Sequence, residues 1–185
     1  MVFIIYMKYD TNKWIYENDS ANAIRYVIGT RGNKPLLCFG VNPSTAEPDN
    51  LDRTLQSVER LSIGNGFDSW IMMNLYPQRA TNPNNIHFEI DKDIRKKNLQ
   101  HIKKILSLHE TVIWAGWGTL IEKRNYLIQC LLDILNLSSA YNAKWVSIGK
   151  ISKNGHPHHP LYLNANERTV TFAMENYIYK IKNID

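Results

Sequence analysis

The chain predicts a single α/β domain in which a central, mostly parallel four-stranded sheet is sandwiched between helical layers, three layers in all. Three observations predict this. Four short apolar runs recur along the chain, amphipathic helical patterns separate them, and turn residues bound each run. A run that is apolar at every position suits a strand buried on both faces. Strands alternating with helices imply parallel pairing with helices on both faces.

The first run covers residues 35–41 and carries Leu36, Leu37, Cys38 and Phe39. The others cover residues 70–75, 111–116 and 144–149. The spacing of Leu55, Val58 and Ser62 predicts a helix over residues 52–62. Ile94, Leu99, Ile102, Ile105 and Leu106 fall on one side of a helix over residues 91–108, with Lys and Arg elsewhere. A longer apolar helix is expected over 121–137. A closing helix is expected over 166–181, with Asn164 or Asn166 as its N-cap. Ahead of the first run, residues 3–9 and 24–28 are rich in β-branched and aromatic side chains. They read as strands joined through residues 14–22. Residues 1–34 are therefore an N-terminal strand or hairpin extension of one domain spanning 1–185.

At 185 residues, 44% hydrophobic and 21% charged, the chain has the material for a core and does not read as disordered. The formal net charge of +5 permits nucleic-acid contact without requiring it. Cys38 and Cys130 sit in apolar patterns and read as buried thiols rather than a disulfide framework. The apolar start is too short to span a membrane and lacks a signal-peptide cleavage pattern. A soluble cytoplasmic monomer is expected.

In open parallel sheets ligands bind beyond the carboxyl ends of the strands. Every run here is followed by a loop of polar, Gly or Pro residues. Asn42, Pro43, Ser44 and Thr45 follow the first run; Tyr76 to Pro83, including Arg79, follow the second. Gly116, Trp117 and Gly118 follow the third, and Gly155 to Pro160 the fourth. The prolines make rigid walls. Asn42 and Asn74 carry both donors and acceptors, which suits a nucleobase edge. Arg79, Ser44, Thr45 and backbone N–H groups suit phosphate. His156, His158 and His159 suit a phosphate or a developing anion. No carboxylate or cysteine stands beside these histidines at ligand spacing, so neither a metal nor another cofactor is expected. The plainer alternatives are a strand-to-helix turn at residues 42–45 and an Asn74 that only satisfies buried backbone.

The order of these motifs resembles the uracil-DNA glycosylase superfamily over residues 35–165. Gly40-Val41-Asn42-Pro43-Ser44 stands where that family carries its first motif. Met72-Met73-Asn74 resembles the second strand's closing Asn, and Ile113-Trp114-Ala115-Gly116 the third strand. His156-Pro157-His158-His159-Pro160-Leu161 is similar to the last motif with one extra residue.

The resemblance implies a glycosylase-like fold with Asn42 and His156 as catalytic residues, His156 supporting the departing base. It implies a base pocket of Pro43, Ser44 and Asn74. It implies a DNA-contacting surface of Thr45, Arg79, Pro157, His158, His159, Pro160 and Leu161, with Leu161 as the wedge that offsets base flipping. Two departures stand out. Asn42 replaces the first-motif Asp and cannot act as a base. Ser44 replaces the Tyr that excludes thymine's methyl group. Glu47, Asp49 and Asp52 follow as substitute carboxylates.

The expected function is a divergent glycosylase-like DNA-binding protein with weak, altered or absent base excision. The alternative is a catalytically dead relative that binds DNA or a DNA-mimicking glycosylase inhibitor protein. A nucleotide-processing enzyme is a third class, set back by the absence of a phosphate-loop or dinucleotide fingerprint.

Overall fold

A computed structural model describes residues 9–108 and 111–182. Its strands are β1 (Trp14–Asn18), β2 (Arg25–Thr30), β3 (Pro35–Gly40), β4 (Ser69–Asn74), β5 (Val112–Ala115), β6 (Lys144–Ile148) and β7 (Thr169–Thr171). Its α-helices are α1 (Arg53–Gly64), α2 (Lys92–Leu106), α3 (Tyr126–Ser139) and α4 (Met174–Lys182).

These strands form one seven-stranded mixed sheet in the order β1-β2-β4-β3-β5-β6-β7. The four apolar runs pair in parallel as β4-β3-β5-β6. β1, β2 and β7 extend that block with antiparallel pairing at both edges. The expected four-stranded, mostly parallel, glycosylase-like sheet is therefore corrected to a larger mixed one. The physical reason lies at the edges. β1 and β7 are only partly buried, so their sequences lack the continuous apolar character of a central strand.

Two further expectations change. Residues 14–18 form β1, not a connection, and Trp14 is buried there. The closing helix is shorter than expected: Thr169, Val170 and Thr171 form β7, and α4 starts at Met174. β-branched residues favour the pleated edge over a helix. The expected strand over 3–9 lies outside the described residues except for Tyr9, which is not in a strand. The α3 helix begins at Tyr126, with a short 3-10 turn at Gly118–Lys123 before it.

Helices cover both faces. Leu55, Val58 and Leu61 of α1 pack on Leu36, Cys38, Trp70, Met72 and Trp114. α2, α3 and α4 cover the other face through Ile102, Ile105, Leu131, Ile134 and Tyr177, over Leu37, Phe39, Ile71 and Ile113. The chain leaves β3 toward α1 on one face and leaves β5 toward α3 on the other. β3 and β5 are neighbours, so a crevice opens beyond their carboxyl ends.

Candidate functional site

Two close approaches shape the crevice. A Cβ on Gly40 would stand 2.6 Å from Met72 Cε and 3.1 Å from Asn74 Oδ1, so a larger residue at the end of β3 would have to displace those side chains. Gly118 has φ +59°, and its Cα faces His159, whose Cβ would be 3.2 Å from an added methyl. The third loop can therefore fold tightly against the last.

The crevice holds a cavity of about 410 Å³. Asn42 and Ser44 from the first loop line it, with Ala80 and Thr81 from the second, Leu120 from the third, and His159 and Leu161 from the last. All four strand-end loops contribute to one concavity. A larger groove of about 760 Å³ runs between α2 and α3 past Lys92, Arg95, Lys96 and Lys103. It is shallow and shares no residue with the strand-end loops. The smaller cavity is therefore the candidate site.

Asn42 is fixed by its amide nitrogen, which donates to Ala80 O at 2.8 Å and Pro43 O at 3.0 Å. Pro43 is buried, and its carbonyl also accepts from Ala80 N at 2.9 Å. These bonds tie the first loop to the second and leave Asn42 Oδ1 without a partner among the described residues.

Asn74 is fully buried, and neither its Nδ2 nor its Oδ1 has a partner among the described residues. Its own backbone carbonyl accepts from Asn98 Nδ2 at 2.9 Å. Asn74 does not line the cavity; it lies beneath the floor made by Gly40 and Met72.

Arg79 works inside the protein. It donates to Ser44 O, Ala46 O and the Tyr16 hydroxyl, so it braces the first loop from behind. Thr45 is exposed and outside the cavity lining.

The histidines divide. His156 is buried with both ring nitrogens engaged: Nδ1 lies 2.9 Å from the Tyr177 hydroxyl and Nε2 lies 2.9 Å from Glu122 Oε1. Trp117 Nε1 donates to the same hydroxyl at 2.8 Å. Indole N–H can only donate, so the Tyr177 oxygen accepts from Trp117, and the Glu122 carboxylate accepts from His156 Nε2. Burial, the main cause, pushes the Tyr177 hydroxyl far above its ordinary pKa, so it stays protonated in this chain. His156 and Pro157 face a second, smaller cavity of about 190 Å³ shared with His158 and with His159, which lines both cavities. Asn42 and His156 thus do not meet in one cavity.

His159 takes the place beside Asn42. Its Nδ1 accepts weakly from Leu161 N at 3.4 Å, which leaves the proton on Nε2. Burial pulls its pKa down to about 4, partly opposed by the Asp52 carboxylate. The ring is neutral at pH 7 and can donate through Nε2. Pro160 is buried behind it, while Leu161 and Tyr162 are exposed at the rim, 40% and 76% respectively.

Of the three carboxylates that follow the first motif, only Asp52 lines the cavity. Its Oδ1 caps α1 through Leu55 N at 2.9 Å. Asp49 bonds Trp14 Nε1 and lies near Lys13, and Glu47 accepts from Asn22. Arg25, which no sequence motif singled out, also lines the cavity. Among the described residues, no group of three or more His, Cys, Asp or Glu could hold a metal ion, and no helix is long and apolar enough to cross a membrane.

A family model described as "Protein of unknown function (DUF1643)" matches residues 25–161. The chain belongs to the DUF1643 family. The match starts at Arg25 and ends at Leu161, so it runs from one wall of the cavity to its rim. No curated protein and no solved structure matches the chain. Within the DUF1643 chain the site residues are thus those the fold itself brings together.

Proposed function

We propose that this protein binds DNA, takes one everted nucleotide into the cavity beyond β3 and β5, and is a divergent glycosylase-like protein with weak or altered base excision. The observation that carries this is convergence: Asn42 Oδ1, the Asp52 carboxylate and a neutral His159 share one cavity of about 410 Å³. That is room for one nucleotide. Cleaving an N-glycosidic bond needs a group to orient water and steady the positively charged sugar, and a donor for the base as it gains negative charge. Asp52 is suited to the first task and His159 Nε2–H to the second. Asn42 Oδ1 can hold the water between them. Leu161 and Tyr162 stand at the rim, where an apolar group can fill the gap left by a flipped base.

The test is to incubate the protein with single- and double-stranded DNA carrying uracil, T·G mismatches or modified pyrimidines, and then to cleave abasic sites. Product is expected with at least one substrate and is expected to disappear in Asp52→Asn, which keeps the helix cap and removes the charge. Strand cleavage that is absent from every substrate rejects excision.

One observation favours a binding-only role: Asn42 and His156, the two residues implied as catalytic by motif position, are both tied into the fold. In that case the rim would bind DNA, or an acidic protein that mimics it, without turnover. Binding of either with no product from any substrate selects this role.

A further inference from the structure

The cavity wall on the α1 side has a chemistry that base recognition does not use. Arg25 is 2% exposed and lines the cavity. Its Nη1 donates to Ala46 O at 3.1 Å, but its Nε is buried with no partner among the described residues. Arg25 stands at the start of β2 and lines the same cavity as the first turn of α1. In that turn Asp52 caps Leu55 N, while the N–H groups of Arg53 and Thr54 have no backbone partner among the described residues. Arg53 and Thr54 line the same cavity. The first turn of α1 carries no acidic residue.

Charge points the same way. Arg25 has Arg79 as a like-charged neighbour, and Asp52 is the one carboxylate that pulls on it. With Arg53 at the opening, the wall holds more positive than negative charge. Burial, with Arg79, brings Arg25 down to about 10, so it is still a cation at pH 7. A helix N-terminus offers inward-pointing N–H groups and a positive dipole end. A buried guanidinium in the same cavity wall adds charge-assisted donors for a tetrahedral oxyanion.

We infer that Arg25, Arg53 and the first-turn amides of α1 form a phosphate-binding subsite in the wall of the nucleotide cavity. It deepens the function proposed above and rests on this cavity being the ligand site. The ligand is a phosphate group, carried either by a nucleic-acid backbone or by a free nucleotide or orthophosphate. The subsite replaces Arg79, Ser44 and Thr45 as phosphate holder, because Arg79 is committed to loop carbonyls and Thr45 faces away.

The test uses the full chain at low salt. Orthophosphate, a deoxynucleoside 5′-monophosphate and a short single-stranded oligonucleotide are titrated separately, with amide chemical shifts and calorimetry as readouts. Saturable shifts of the Arg53 and Thr54 amides are expected with at least one probe. Arg53→Gln, at an exposed side chain, is expected to weaken that binding about tenfold, and Arg25→Gln at least as much. Shifts with all three probes assign a free-phosphate source; shifts with the oligonucleotide alone assign a backbone phosphate. No saturable shift with any probe overturns the subsite, as does binding that Arg53→Gln leaves unchanged, whether or not Arg25→Gln folds. Phosphate binding without excision of any base keeps the subsite and rejects excision, and excision without phosphate binding does the reverse.

Discussion

Asn42 Nδ2 donates to the carbonyl oxygen of Ala80 at 2.8 Å, stitching the loop after β3 to the loop after β4. The same nitrogen donates to Pro43 O. An amide is needed here, because both partners are acceptors. A carboxylate would set negative charge against two carbonyl oxygens. Asn42→Asp is therefore expected to destabilise the fold by about 1–3 kcal/mol in urea denaturation. It is also expected to create no uracil excision, because the loop must move to relieve the repulsion. A stable Asn42→Asp protein that excises uracil would show that the loop tolerates the charge and that the missing Asp alone limits activity.

His159 makes stability depend on pH. Its folded pKa of about 4 lies below the ordinary value of 6.5, chiefly through burial. Between these values the unfolded chain binds the proton and the folded chain does not. Stability from this residue is intact above about pH 6.5 and falls as pH drops toward 4. Urea midpoints measured from pH 7 to 4 are expected to decline, and His159→Gln is expected to flatten part of that decline. A parallel decline in both proteins counts against a neutral His159 ring in the fold.

Much of the site was legible because strand-end loops are. Asn42, Ser44, His159 and Leu161 follow apolar runs in sequence and reach the cavity together. Arg25 was not legible. It precedes β3 and comes to the cavity only through the antiparallel pairing of β2 with β4, Ile28 opposite Met72, which no local pattern encodes. The choice between His156 and His159 was equally hidden. They lie three residues apart in one loop, and only the folded chain shows that His156 bonds Tyr177 while His159 lines the cavity with Asn42. The edge strands escaped for a related reason: half-buried β1 and β7 take their stability from partners distant in sequence.

The Glu122, His156, Tyr177 and Trp117 chain ties the last loop to α4, and its role can be separated from catalysis. Tyr177→Phe leaves Trp117 Nε1 and His156 Nδ1 buried without their partner. A loss of about 1–3 kcal/mol for each orphaned group is expected in denaturant unfolding. Glu122 is half exposed, so Glu122→Gln is expected to cost less than about 1 kcal/mol. Ligand affinity per folded molecule is expected to hold in Glu122→Gln. A large loss of affinity with unchanged stability would instead move this chain into the binding machinery.

Leu161 and Tyr162 are exposed apolar side chains on a turn whose start is fixed by buried Pro160. The Tyr162 N–H returns to His159 O at 3.0 Å, which holds the turn in place without burying either side chain. Exposed side chains on a rigid turn contribute little to folding, so Leu161→Ala and Tyr162→Ala are expected to leave the urea midpoint nearly unchanged. Stacking of an aromatic ring on a base is worth about 1–3 kcal/mol, so Tyr162→Ala is expected to weaken DNA binding by roughly 5- to 100-fold. Leu161→Ala is expected to act chiefly on duplex DNA, where a wedge must hold an opened stack, and little on single strands. Fluorescence anisotropy with matched duplex and single-stranded probes measures both. Equal losses for the two probes in Leu161→Ala would remove the wedge role and leave a general contact surface, while no loss in either variant would detach DNA binding from this rim.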